Sequence, residues 1–219
     1  MRIIFPLLIF ACKTLPAASL LLGPMIGHVD DQSAKIWCAL DERGEVKIRI
    51  SEDSNLKDAR VITKKDFEMG SISIDGLKTD TLYYYQIEAH QYSKSARSHF
   101  KTMKPSGKSL KLRFLFSSCS GKTGSDEDAT WNDISLLSDV DLILMLGDNH
   151  YADSTNPEVI TKHYLNHRSI GGFKRATSRI PTYGIWDDHD YGPNNSDGQT
   201  KGKEDSLEIF KAHWANPSY

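Results

Sequence analysis

The sequence has 219 residues and a mass of 24.6 kDa, with 39% apolar residues, 26% charged residues and a formal net charge of -2. This length and apolar content are enough for one or two packed domains and exclude a chain that is disordered as a whole. Acidic and basic residues alternate without long runs, so the composition offers no footprint for nucleic acid or an anionic membrane.

The first residues have the pattern of a secretory signal peptide. Arg2 precedes an apolar run over residues 3–12, and small residues follow at 17–19. The run is too short to span a bilayer, and its proline would be unfavourable in a central strand. We therefore predict a cleaved leader over residues 1–19 and export to the periplasm or the cell exterior. The run ending at Cys12 also resembles a lipoprotein box, so we expect membrane attachment only if that cysteine is lipidated.

Residues 20–103 contain short runs in which apolar residues alternate with polar ones, for example 33–39, 45–50 and 81–87. This period of two predicts an antiparallel β-sandwich. The segment 76–85 resembles the tyrosine corner of fibronectin type III modules, which favours a fibronectin III or Ig-like sandwich. Cys38 lies beside Trp37 in one of these runs and is predicted to pack in the core, without a disulfide to Cys119.

Beyond the linker at 104–109 the spacing of apolar residues changes. Residues 110–219 contain apolar runs of strand length at 111–116, 141–146 and 182–186, and helical patterns at about 128–137, 157–178 and 204–215. Alternating strands and helices predict a parallel sheet with helices on its faces, here part of an α/β domain. In such sheets, functional residues collect beyond the carboxyl ends of the strands.

Each of these three strands is followed by a loop with chemically useful side chains. The loops begin at 117, 147 and 187, and together they carry a thiol, several carboxylates, a phenol and an imidazole. Carboxylates suit hard cations, whereas a thiolate suits softer or more oxidised ions, so a mixed site for two different metals is predicted. Paired metals of this kind suit the hydrolysis of phosphate esters.

Three segments carry a resemblance to a known family: 116–120 (FSSCS), 146–153 (LGDNHYAD) and 186–192 (WDDHDYG). They closely resemble the PhoD-like alkaline phosphatase/phosphodiesterase branch of the calcineurin-like metallophosphatases, a family with a β-sandwich ahead of its catalytic domain. The resemblance implies a metallophosphoesterase that acts on a small phosphomonoester or phosphodiester.

The resemblance also implies a role for individual residues. Cys119 would bind a ferric ion (Fe3+) as thiolate, and Tyr151 would bind the same iron as phenolate. Asp148 would bridge the iron and a second divalent metal, for which calcium (Ca2+) is expected. Asp188 would bind this second metal.

The catalytic residues implied are His189, which would stabilise the transition state or protonate the leaving alkoxide, and Asp190, which would orient His189. Asn194 or Asn195 would add a metal ligand, and the sequence does not choose between them. His150 is interpreted as a solvent-facing or wall residue and not as a ligand, and the pair Asp153 and Asp197 as turn residues.

Other functions are considered from the same residues. A nucleotide-binding loop at 121–123 would need a glycine where Phe116 stands, and a cysteine-nucleophile phosphatase would need an arginine where Ser125 stands. The alternative left open is a non-catalytic exported β-sandwich module for binding or adhesion, with a degenerate phosphatase domain.

The end of the sequence raises a further expectation. No Gly-Asp/His-x-His motif follows Asn195, so we predict that the sequence is truncated within its catalytic domain. A sheet of only three catalytic-domain strands would leave an open edge and an uncovered apolar face. We therefore expect this 219-residue chain to have weak or no turnover.

Overall fold

The computed structural model describes residues 18–90, 92–105, 107–109, 111–120 and 125–219. The predicted leader therefore lies outside the described residues except at its last two positions, as do Cys12 and the stretch 121–123. Among the described residues, no helix has the length and apolar character needed to cross a bilayer.

Two sheets and a set of helices make up the described residues. The first sheet contains β1 (Leu20–Val29), β2 (Ala34–Ser51), β3 (Arg60–Ile74), β4 (Leu82–His90), β5 (Ser93–Lys94) and β6 (Ser98–Lys101). The second contains β7 (Phe114–Ser117), β8 (Leu142–Leu146) and β9 (Thr182–Ile185). The helices are α1 (Ser125–Leu136), α2 (Pro157–Arg168), α3 (Gly171–Thr177), α4 (Asp188–Tyr191) and α5 (Lys203–His213).

The first sheet is antiparallel, as predicted, but it is one curled sheet rather than two separate layers. Strand β2 runs through two apolar segments that the sequence suggested were separate strands. Its first half pairs with β1 and its second half with β4, while β3 follows it along the other side. Register shifts between Ala39 and Val46 mark the irregular point, where a bulge can bend the strand.

The predicted tyrosine corner is present. The hydroxyl oxygen of Tyr83 accepts a hydrogen bond from the Lys78 backbone N–H at 2.9 Å, and the ring is buried beside Phe100. Cys38 is also fully buried in this core, as predicted, and is a free thiol.

The second sheet is parallel in the order β7-β8-β9. The predicted helices at 128–137 and 204–215 correspond to α1 and α5 within a few residues, but the helix predicted at 157–178 is two helices. Gly172 lies just after the break, and a Cβ there would come within 2.4 Å of the α1 backbone. The break thus lets α3 pack closely against α1.

The two sheets share a hydrophobic core. Leu22, Met25, Trp37 and Ala39 of the first sheet belong to the same buried cluster as residues of β8, α2, α3 and α5. The domain boundary predicted between 103 and 110 remains a prediction, but the parts on either side of it pack against each other extensively.

A buried arginine lies at the centre of this shared core. The Arg168 guanidinium carbon is 4.9 Å from the ring centroid of Trp37, 4.8 Å from Tyr164 and 5.1 Å from Trp214. Its burial lowers the pKa of Arg168 to about 10. The Trp37 indole N–H donates to the Ala212 carbonyl at 2.8 Å. Cation–π contacts and a hydrogen bond therefore join the first sheet to α2 and the end of α5.

One face of the second sheet is exposed. Phe116 is 69% exposed and Ile185 57%, whereas Ile143, on the opposite face, is 1% exposed. Phe114 and Leu146 extend the exposed face. The apolar face predicted to lack cover is therefore present on the described residues.

Candidate metal centre

The carboxyl ends of the three parallel strands lie side by side. Ser117 at the end of β7 pairs with Met145 of β8, and Leu146 pairs with Ile185 of β9. The loops that follow therefore start at one edge of the sheet. The Cys119 backbone N–H donates to the Gly147 carbonyl at 3.3 Å, which continues the pairing into the first two loops.

The thiol, the phenol and a carboxylate meet at this edge. The Cys119 sulfur lies 3.3 Å from Oδ2 of Asp148, and the Tyr151 hydroxyl lies 3.4 Å from the same oxygen. Burial raises the pKa of Tyr151, and its contacts with Cys119 and Asp148 raise it further. Cys119 and Asp148 both have left-handed backbone conformations, with φ of 57° and 52°. Three of the four predicted metal ligands are thus in direct contact.

The fourth predicted ligand, Asp188, lies in the same cluster. Donor atoms of Asp148, Asp188 and His189 all lie within 4.8 Å of one another. Asp188 accepts a short hydrogen bond from the backbone N–H of Asn195. Asn195 therefore reaches the cluster through its main chain, while a side-chain ligand from Asn194 or Asn195 remains a prediction.

The residue that contacts the His189 imidazole is Asp153. Its Oδ1 lies 2.5 Å from His189 Nδ1. Burial lowers the pKa of His189, but the Asp153 hydrogen bond and the charges of Asp153, Asp148 and Asp188 outweigh it, so that the pKa is raised above its usual value. From the sequence, Asp153 is expected to be a turn residue, and its φ of 50° fits that expectation as well.

Asp190, predicted to orient His189, instead ties two loops together. Its buried carboxylate accepts hydrogen bonds from the Asp187 backbone N–H at 2.9 Å and from the backbone and side chain of Asn149 at 2.9 and 3.1 Å. The side chains of consecutive helical residues point about 100° apart, so the Asp190 carboxylate does not readily reach the imidazole of His189. Burial outweighs the hydrogen bonds and raises the pKa of Asp190 to about 7.

His150 is a buried wall residue, which is one of the two positions that the sequence left open. It is 1% exposed, and its ring lies edge-on to Tyr164 at 4.3 Å between centroids. Burial, followed by the charge of His163, lowers its pKa to about 3, which keeps the imidazole neutral. The ring of His213 stacks on the same Tyr164 ring, with 4.5 Å between the ring centroids.

The donor set fits a metal cation. Oδ1 of Asp148 is buried and has no hydrogen-bond partner among the described residues. A buried carboxylate oxygen without a partner is costly, and the nearby Asp188 carboxylate adds repulsion. A cation would satisfy both, and the combination of carboxylate, thiol and phenol suits a transition ion.

Comparisons with known proteins agree with this architecture. Residues 17–105 match the model of a domain of unknown function, DUF7800. No curated protein matches the chain. A solved structure of PhoD aligns with 91% of the chain and 45% of PhoD at a TM-score of 0.67 and 20% identity.

The purple acid phosphatase PPD1 from yellow lupin (Lupinus luteus) seeds aligns with 89% of the chain and 40% of that enzyme, at a TM-score of 0.67 and 13% identity. The chain thus spans less than half the length of either phosphatase. At these identities the likeness shows the fold alone, which is shared with part of PhoD and part of the purple acid phosphatase.

Proposed function

We propose that the centre takes part in metal-dependent hydrolysis of phosphomonoesters or phosphodiesters. The observation that carries this proposal is the meeting of Cys119, Asp148, Tyr151, Asp188 and His189, which come from three separate loops, at one edge of the parallel sheet. Loop residues chosen only for turn formation have no reason to converge. The fold shared with PhoD and a purple acid phosphatase supports the same reaction class.

The metal ligands are divided between two cations in this proposal. Cys119 and Tyr151 would hold a ferric ion, Asp188 would hold a second divalent metal, taken to be calcium, and Asp148 would be a ligand shared by the two. Bound cations would polarise a phosphoryl oxygen and lower the pKa of a water. The raised pKa of the Tyr151 hydroxyl would be reversed by such a charge.

His189 acts as the proton donor. Its Nδ1 is held by Asp153, which leaves Nε2 for the substrate, and its raised pKa keeps more of the imidazole protonated near neutral pH. A water oxygen forms the new bond to phosphorus and releases one proton to solvent, while the bond to the ester oxygen breaks and this oxygen takes the proton from His189. Asp190 and Asn149 keep the two loops in place.

The first test removes one carboxylate charge at a time. Asp148→Asn and Asp188→Asn are expected to weaken Mn2+ binding on the order of 100-fold, because each removes a charged ligand at nearly constant size. Isothermal titration calorimetry measures this directly, and hydrolysis of bis(p-nitrophenyl) phosphate should fall with it. Asp75→Asn, at an exposed turn of the first sheet, is the matched control. Unchanged Mn2+ affinity in both variants would refute the metal centre.

The second test concerns Asp153. Asp153→Asn is expected to lower the pKa of His189, because it removes the hydrogen-bonded carboxylate that raises it. The protonated imidazole would then be lost at a lower pH, so the alkaline limb of activity should move down. NMR titration of the histidine ring protons measures the pKa even without turnover. Asp197→Asn is the control, and an unchanged His189 titration in Asp153→Asn would contradict the proposed role.

The alternative proposal is an exported β-sandwich module that binds a ligand without catalysis. Such a module would keep its binding in Asp148→Asn and Asp188→Asn, whereas a phosphoesterase would lose turnover. Export and the choice of a small phosphate ester as substrate belong to the main proposal and rest on the sequence patterns.

A further inference from the structure

A cavity of about 260 Å³ adjoins the metal centre at Cys119. Serine hydroxyls of the first loop, including Ser120, line one part of it. Helix α1 contributes Glu127, Trp131 and Ile134. Because Cys119 belongs both to this cavity and to the ligand cluster, a group in the cavity would lie directly beside the phosphate-binding region.

Within the described part of the chain, two residues that line this cavity each have a buried oxygen atom without a hydrogen-bond partner. Oε1 of Glu127 lies 3.0 Å from Nε2 of His167, which fixes the carboxylate, but Oε2 has no hydrogen-bond partner among the described residues. The Ser120 hydroxyl oxygen is likewise buried and without a partner in that part of the chain. The Glu127 side chain is only 11% exposed. Buried polar atoms of this kind cost free energy unless a ligand or water satisfies them.

We propose that this cavity binds the alcohol portion of the substrate, an inference that rests on the proposed phosphoesterase function. Its chemistry selects a small alcohol that carries additional hydroxyl groups. Hydroxyl protons would donate to Glu127, which only accepts, and Ser120 can both donate and accept. Trp131 and Ile134 offer an apolar wall for the carbon chain.

The size of the cavity is compatible with a small ligand. At about 260 Å³ it lies just below the usual range for drug-sized ligands, and its polar lining favours a polyol. An aromatic alcohol would leave Glu127 and Ser120 without donors. Glu127 is therefore the residue that determines specificity, and His167 positions it.

The experiment compares two esters with the same phosphate group. We expect the ratio of kcat/KM for glycerol 2-phosphate to that for phenyl phosphate to fall about tenfold in Glu127→Gln, since a hydrogen bond to a charged group is lost. Ser120→Ala should lower the same ratio by a smaller factor without touching the contact between Glu127 and His167. Glu208→Gln, exposed on α5, is the control and should leave the ratio unchanged.

An equal loss of activity toward both esters in Glu127→Gln and Ser120→Ala would overturn the proposal, because it would indicate a structural role. Because this chain is expected to have weak or no turnover, absent hydrolysis of both esters would not decide the subsite, and calorimetry tests it independently of turnover. In the presence of Mn2+, the wild type should then bind glycerol 2-phosphate more tightly than inorganic phosphate, and Glu127→Gln should abolish this preference. Equal binding of both by the wild type would refute the subsite.

Discussion

The two sheets treat similar apolar residues in different ways. In the first sheet Ile26, Ile36 and Ile48 are all fully buried, because the sheet curls around its own core. In the second sheet Ile143 is buried by the helices, whereas Ile185 is exposed on the other face. The burial of an isoleucine therefore depends on what covers its face of the sheet, and not only on its position in a strand. The candidate metal centre lies at one edge of the second sheet, which is the less completely covered of the two.

The two described cysteines offer the largest contrast between these regions. Burial raises the pKa of the Cys38 thiol to about 12, while Cys119 is exposed at the edge of the second sheet. Iodoacetamide at pH 8 should therefore modify Cys119 in the folded protein, and Cys38 only after global unfolding. Mass spectrometry of peptides locates the label. Rapid modification of Cys38 in the native protein would show that the first core is not closed.

The added metal sharpens the same measurement. Mn2+ is expected to slow modification of Cys119 and to leave Cys38 unaffected, because only Cys119 lies against Asp148. In Asp148→Asn this protection should be lost. Protection that persists in this variant would mean that the thiol is shielded for a reason other than metal binding.

Trp37→Ala tests whether the sheets are energetically joined. The substitution removes a fully buried indole that contacts Arg168 and is expected to lower the free energy of unfolding by about 3–5 kcal/mol. Both sheets should lose stability together in urea, as followed by circular dichroism and by Mn2+ binding. Val61→Ala, at an exposed position of β3, is the control. Unchanged metal binding alongside early loss of the first sheet would show that the two parts are independent.

The smallest effect is expected from the exposed face. Ile143→Ala should lower the free energy of unfolding by about 2–5 kcal/mol, because it leaves a cavity in the shared core. Ile185→Ala should change it by no more than about 0.5 kcal/mol, since most of this side chain is already exposed. Urea titration measures both. A large loss for Ile185→Ala would mean that this face is covered in solution.

Much of the fold follows from short-range sequence rules. Alternation predicted the antiparallel sheet, and three apolar runs predicted parallel strands whose ends lie in register, which is why Cys119, Asp148 and Asp188 could be expected together. The continuity of β2 could not be predicted, because the polar residues 41–45 have the composition of a turn but form an irregular part of one strand.

The partner of His189 is a tertiary feature that the sequence did not reveal. Asp190 was the natural candidate because it is adjacent, yet side-chain direction on a helical turn separates the two residues. Asp153 lies 36 residues away and comes close only when the second and third loops meet. Asn149, which helps to hold these loops together, stands inside a recognisable segment, but its contacts depend on the same meeting.

The backbone conformation of Cys119 has a consequence for how this position is selected. A left-handed conformation costs an ordinary L-residue roughly 1–2 kcal/mol, and glycine would avoid most of that cost. Folding alone therefore favours glycine at position 119, and only glycine's lack of sulfur argues against it. The thiol in contact with Asp148 therefore comes at a conformational cost that the proposed metal centre would offset.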